Sequence, residues 1–127
     1  MSAVDRFACI TVAVKDQDEA LRWFTEKLDF VKRVDQPGPG IRFLTVSPRK
    51  QPDLQVILAS WFPEHIGKNP TAVLYTGDCR QAYDELKGRG VEFTEEPQPR
   101  PFGLQAVFKD LCGNSYALVQ PGPSAGP

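Results

Sequence analysis

Val14-Lys15-Asp16-Gln17-Asp18-Glu19-Ala20-Leu21-Arg22-Trp23-Phe24 is answered 62 positions later by Thr76-Gly77-Asp78-Cys79-Arg80-Gln81-Ala82-Tyr83-Asp84-Glu85-Leu86. In each stretch an Asp precedes an amphipathic run, with Ala20, Leu21, Phe24 and Leu28 in the first and Ala82, Tyr83 and Leu86 in the second. Each Asp is a good N-cap, since its short carboxylate accepts from the first turn, and Glu19 or Gln81 stands three residues on. The same offset carries the apolar stretch 42–46 onto 104–108 and the stretch 54–58 onto 116–120. Four elements in one register are the mark of an internal duplication.

The flanking words supply strands. Ala8 to Val14 is β-branched and apolar, and Phe30 to Val34, Ile41 to Ser47 and Leu54 to Ala59 follow it. Pro37-Gly38-Pro39-Gly40 makes a turn between the second and third. In the second half the strands are Thr71 to Thr76, a short one from Val91 to Phe93, Leu104 to Phe108 and Ser115 to Gln120. Gly90 sits where a helix would end, Pro97 to Pro101 reads as a proline-broken loop, and Asp110 to Asn114 as a hairpin turn. The order is βαβββ twice. We therefore expect a single domain over 1–127, with a first module over 1–62, a linker and second module over 63–121, and a loose tail over 122–127.

Composition narrows the function. With 127 residues the chain can bury roughly two thirds of the surface it exposes when unfolded, so it needs neither metal nor disulfide to fold. Fifteen basic and sixteen acidic residues leave a net charge of −1, with no Lys/Arg cluster, which removes the term that dominates nucleic-acid affinity. No apolar run reaches the ~20 residues of a membrane span, and positions 1–7 lack a signal-type hydrophobic stretch. Cys9, Cys79 and Cys112 are odd in number and widely spaced, as expected of free thiols in a cytoplasmic protein.

The duplicated order and its words resemble the vicinal oxygen chelate superfamily, which includes glyoxalase I, extradiol dioxygenases, metal-dependent fosfomycin-resistance enzymes and bleomycin-binding proteins. The words are the 14–24 segment, Lys27-Leu28-Asp29-Phe30 (with Asp29 where Gly is commoner), Arg89-Gly90-Val91, Pro101-Phe102-Gly103 and Lys109-Asp110-Leu111-Cys112-Gly113-Asn114. The resemblance implies an α+β fold of two tandem βαβββ modules, whose curved mixed sheets face each other around a cleft with the helices outside. It also implies divalent-metal ligands, His or Glu, on the first and last strand of each half. Carried onto this sequence, those positions are Cys9, Gln55, Thr71 and Ala117.

A divalent ion needs about two or three anionic or imidazole donors. A methyl, a neutral hydroxyl, an amide and a thiol do not supply them, and His65, the only histidine, has no histidine partner. We expect no metal and no other cofactor. Cys9 lacks a His to lower its pKa, so it reads as an inert thiol rather than a nucleophile, and no catalytic residue is assigned. Glu92, Glu95 and Glu96 read as a solvated face, with Glu92 or Glu95 a base only if one points inward.

Strand alternation turns Cys9, Thr11 and Ala13 toward the cleft and Ile10, Val12 and Val14 toward the helix. By the same parity Gln55, Ile57, Ala59, Thr71, Val73, Tyr75, Ser115, Ala117 and Val119 point inward, with Phe43 and Thr45 on a wall. Trp61, Phe62 and Phe102 lie at strand ends, either as a rim or sealing the core. The candidate ligand-binding residues are thus Cys9, Phe43, Gln55, Ile57, Trp61, Thr71, Tyr75, Phe102 and Ala117. Such a lining suits a small organic ligand. The resemblance to bleomycin-binding relatives implies a homodimer that sequesters a partly aromatic molecule, as in antibiotic self-resistance. The near-neutral charge speaks against bleomycin itself, a cationic drug. The alternative is a metal-dependent glyoxalase- or dioxygenase-type enzyme, a lyase, isomerase or oxygenase, drawing on Cys9 and Gln55.

Overall fold

A computed structural model of the chain describes residues 3–69 and 71–122. The chain divides between Ile66 and Gly67 into two compact units. The first contains β1 (Cys9–Ala13), α1 (Gln17–Lys27), β2 (Val31–Gly38), β3 (Ile41–Ser47) and β4 (Gln55–Ala59), followed by a 3-10 turn at Pro63–His65. The second contains β5 (Ala72–Tyr75), α2 (Cys79–Gly88), β6 (Glu92–Arg100), β7 (Gly103–Lys109) and β8 (Ser115–Pro121). The duplicated βαβββ order is therefore present, and the fold is α+β. Each unit has a four-stranded mixed sheet of the same order, β1-β4-β3-β2 and β5-β8-β7-β6. The first and last strands of a unit run parallel and the others antiparallel. Among the described residues no helix is long and apolar enough to cross a membrane.

Both helices start where their caps dictate. Asp16 Oδ1 accepts from the Glu19 N–H at 2.9 Å, and Asp78 Oδ1 accepts from the Gln81 N–H at 3.0 Å. Helix α2 ends in a Schellman arrangement. Gly90, at φ 93°, donates to the Lys87 carbonyl, Val91 donates to that of Leu86, and the Leu86 and Val91 side chains are both buried. At the matching place after α1, Asp29 adopts the left-handed conformation, φ 58°, that an Asp tolerates better than most residues. Its carboxylate is held from both sides by Arg49, at 3.0 Å to each oxygen.

One face of each sheet packs on its own helix. In the first unit Val12, Val14, Leu44, Val46 and Leu58 meet Ala20 and Phe24, all buried. In the second Ala106, Phe108, Tyr116 and Leu118 meet Cys79 and Leu86. Ile10 departs from the expected pattern: it has the helix-facing parity but remains 39% exposed.

Three features of the sheets differ from expectation. Residues 97–101, read as a loop, are instead strand through Arg100, and β2 likewise runs on through Pro37 to Gly38. Both are edge strands, where a proline has no ladder bond to forfeit. The third concerns the repeat. Cys9 pairs with Gln55 and Thr11 with Ile57, whereas Val73 pairs with Ala117. The β3–β4 connection is two residues longer than that between β7 and β8, so the last strands are related by 60 positions rather than 62. Ile57, not Gln55, is the counterpart of Ala117. Because the correction is an even number, every residue keeps the face that alternation assigned to it.

Candidate functional site

The sheet face opposite each helix is where alternation places the candidate residues. On the first sheet Cys9, Gln55 and Ile57 are half-buried, Thr11 and Phe43 are exposed, and Ala59 is buried. Cys9 and Gln55 are direct neighbours across the parallel β1–β4 pair, and Thr45 opposes Ile57 across β3–β4. Trp61 lies just beyond β4, half-buried, with its ring 6.0 Å from Phe62, which in turn lies 5.8 Å from His65. On the second sheet Ala117 and Val119 are buried, while Val73 and Tyr75 are 61% and 57% exposed. Thr71 directly precedes β5 and is exposed, and Phe102 stands 44% exposed at the β6–β7 turn.

The polar groups of the first open face form a connected set. Thr45, fully buried, accepts from the Val34 N–H at 3.1 Å and donates to Gln55 Oε1 at 2.6 Å. Ser47, two residues on and also fully buried, accepts from Arg33 Nε at 2.8 Å. Arg33 Nη2 further donates to the carbonyls of Pro48 and Arg49, each at 3.2 Å. Val31 opposes Ser47, so a period of two along β2 carries Arg33 to this same face. The register then shifts between Lys32 and Val34, so that Val34, opposite Thr45, lies on it as well.

The second open face carries a paired carboxylate. Glu95 opposes Val107 and so shares its face, in contrast to the solvated role expected for it. Gln105 Nε2 donates to one carboxylate oxygen at 3.1 Å and Arg100 Nη2 to the other at 2.7 Å. The Gln105 hydrogen bond, with that of Arg100, holds this carboxyl below the ordinary carboxylate range. An anion so well satisfied is a poor proton acceptor at neutral pH. Glu92 and Glu96 are exposed.

A buried network closes the β7–β8 turn. Asp110 accepts at Oδ1 from the backbone N–H groups of Cys112 and Asn114, and at Oδ2 from Asn114 Nδ2 and from the Tyr116 hydroxyl at 2.7 Å. Burial, reinforced by the Asp110 charge, pushes the Tyr116 phenol up, so it stays a donor. Asn114 Oδ1 then accepts from the Gly67 N–H at 3.0 Å, tying the start of the unit to its closing hairpin. This is architecture: both Asp110 carboxylate oxygens, the Asn114 amide and the Tyr116 hydroxyl are engaged within this network. Cys79 is equally structural, buried and with its thiol raised first by desolvation.

Among the described residues no three His, Cys, Asp or Glu side chains gather into a group able to hold a metal ion. All three cysteines are free thiols.

Comparison with known proteins agrees with this architecture. The family model of the Glyoxalase/Bleomycin resistance protein/Dioxygenase superfamily matches residues 6–118. The Bacillus subtilis (strain 168) protein YurT is 36% identical over 120 residues, covering 87% of this chain and 94% of that protein. The crystal structure of TnmS3, an antibiotic binding protein from Streptomyces sp. CB03234, superposes with a TM-score of 0.88 at 33% identity, covering 96% of this chain and all of that one. That of UcmS2 superposes at 0.83 with 35% identity, covering 91% and 98%.

Proposed function

This chain belongs to the Glyoxalase/Bleomycin resistance protein/Dioxygenase superfamily, and on that premise we propose that it binds a small, partly aromatic organic molecule without a metal. The observation that carries the reading is the donor chemistry of the open faces. At the positions where metal-dependent relatives present imidazole and carboxylate, this chain has Cys9, Thr71 and Ala117, with Gln55 or its register neighbour Ile57 as the fourth. The Gln55 oxygen is already engaged by Thr45. A set of thiol, hydroxyl and methyl does not fit a hard divalent cation, and no step is assigned to one.

The apolar and aromatic surface on those same faces favours an organic ligand: Phe43 and Ile57 on one, Val73 and Tyr75 on the other. TnmS3, described as an antibiotic binding protein, lends support for sequestration, as in antibiotic self-resistance. A homodimer accords with the apolar surface near the start of the chain, where Val4 and Phe7 are 74% and 82% exposed. Free thiols accord with a cytoplasmic setting.

Metal loading tests the reading. After incubation with Zn²⁺, Ni²⁺ or Mn²⁺ and desalting, elemental analysis should find well under one ion per chain, and chelator should leave the melting temperature unchanged. One tightly held ion per chain would overturn the proposal in favour of a metal-dependent lyase, isomerase or oxygenase. Light scattering at micromolar concentration should return the dimer mass, and a monomer mass would remove that part of the reading.

A further inference from the structure

We propose that Arg33 and Gln55 form a two-donor edge on the open face of the first sheet, which receives an anionic oxygen, carboxylate or phenolate, carried by the aromatic ligand. The inference rests on the binding reading above and names the chemistry that the site selects.

The orientation of the Gln55 amide follows from Thr45. The Thr45 oxygen accepts from the Val34 N–H, so its own hydrogen goes elsewhere, and Gln55 lies 2.6 Å away. That separation is short for N–H···O and ordinary for O–H···O, which makes the contacting amide atom the oxygen. The NH₂ group is left to face outward. Its one partner among the described residues is the Pro52 carbonyl, at 3.5 Å, the outer limit of a hydrogen bond.

Arg33 is held along one edge only. Nε and Nη2 are taken by Ser47 and by the carbonyls of Pro48 and Arg49, while Nη1 has no hydrogen-bond partner among the described residues. A guanidinium pinned in this way presents its remaining N–H groups in a fixed direction. Thr45 and Ser47, the residues beneath the two donors, are two apart on β3 and share a face, which places the donors over neighbouring positions of one strand.

Both groups present mainly donors. Arginine has no acceptor, and one of the two acceptor sites of the Gln55 oxygen is taken by Thr45. None of the residues that alternation puts on this face of β1, β3 and β4 is acidic. A ligand group that satisfies both donors is therefore an acceptor, and a charged one gains most from the guanidinium. Phe43 and Ile57 on the same face supply apolar surface for a ring.

The test uses two probes of the same shape and opposite charge, 2-naphthoate and 2-(aminomethyl)naphthalene. Each is titrated into isotope-labelled protein while the Gln55 Nε2 and Arg33 side-chain signals are followed by NMR. Naphthoate should shift both signals, and the cation should not bind this face. Gln55→Leu should weaken naphthoate at least tenfold, the loss of one charge-assisted hydrogen bond. Gln55→Glu keeps an oxygen for Thr45, so it should fold and melt like the parent while losing naphthoate and gaining affinity for the cation. Naphthoate binding that leaves both signals unmoved, equal affinity in the Gln55 variants, or no binding at millimolar concentration would each overturn the assignment. Capture of the cation instead would sink this inference yet leave metal-free binding intact, whereas stoichiometric metal would sink the binding reading itself.

Discussion

Replacing Thr45 by Val tests the polar set beneath the first open face. The two side chains have nearly the same shape, and Thr45 is fully buried, so the change exchanges one hydroxyl for a methyl with no room for compensating water. Two hydrogen bonds disappear: the one that satisfies the Val34 N–H inside the β2 bulge, and the 2.6 Å bond to Gln55. Leaving the Val34 donor without an acceptor costs about 1–3 kcal/mol, whereas the half-buried Gln55 amide can turn to water at little cost. The added methyl returns up to about 0.8 kcal/mol of burial. The net expectation is destabilisation by about 1–2 kcal/mol, or roughly 4–8 °C in melting temperature for a chain of this size. Urea denaturation followed by circular dichroism, on the parent, Thr45→Val, Gln55→Leu and the double variant, gives both the cost and the coupling. The two substitutions should couple by at least ~0.5 kcal/mol, as contacting residues do. Strict additivity, or a Thr45→Val variant as stable as the parent, would refute the hydrogen-bond assignment and with it the orientation of the Gln55 amide.

Further outcomes follow from other parts of the molecule. Asn114→Ala removes a fully buried side chain that both donates to Asp110 and accepts from Gly67, and should cost about 2–4 kcal/mol in thermal unfolding; a loss below ~1 kcal/mol would contradict the network. Gly90→Ala forces a Cβ into the left-handed cap of α2 and should cost about 1–2 kcal/mol, against a negligible change for the exposed Gly88→Ala. Acidification should destabilise the fold through two carboxyls. Asp35, held low first by its hydrogen bond from Arg42, and Glu95, held low first by Gln105, bind protons less readily folded than unfolded. Their contribution is present above the ordinary carboxylate values of about 3.9 and 4.3 and is lost as pH falls through the lower folded values. The melting temperature should therefore drop below about pH 4.5, less steeply in Gln105→Leu, and an unchanged slope in that variant would remove Glu95 from the account.

Much of this architecture was legible in the sequence. Asp16 and Asp78 announce their helices because N-capping is a local affair, settled within three residues, and Gly90 announces a stop for the same reason. The alternation of Cys9, Thr11, Gln55 and Ile57 was legible because strand parity is fixed by the backbone. Pairing distance is not local. The two extra residues before β4, which make Ile57 the counterpart of Ala117, become visible only once β1 and β4 are in register. Prolines 97 and 99 read as breakers because a sequence does not say which strand lies at a sheet edge. Arg33 was hidden for a third reason. Counting by twos from Val31 gives it the open face, but only the pairing of Val31 with Ser47 reveals which face that is, and the bulge that follows breaks the count before Val34.

The most direct test of metal-free binding is native mass spectrometry of the protein isolated from its own source and exchanged into chelator-containing buffer before spraying. A retained organic adduct, on a polypeptide carrying no divalent ion, is the predicted spectrum. A stoichiometric metal mass that resists the chelator, with no organic component, would contradict it.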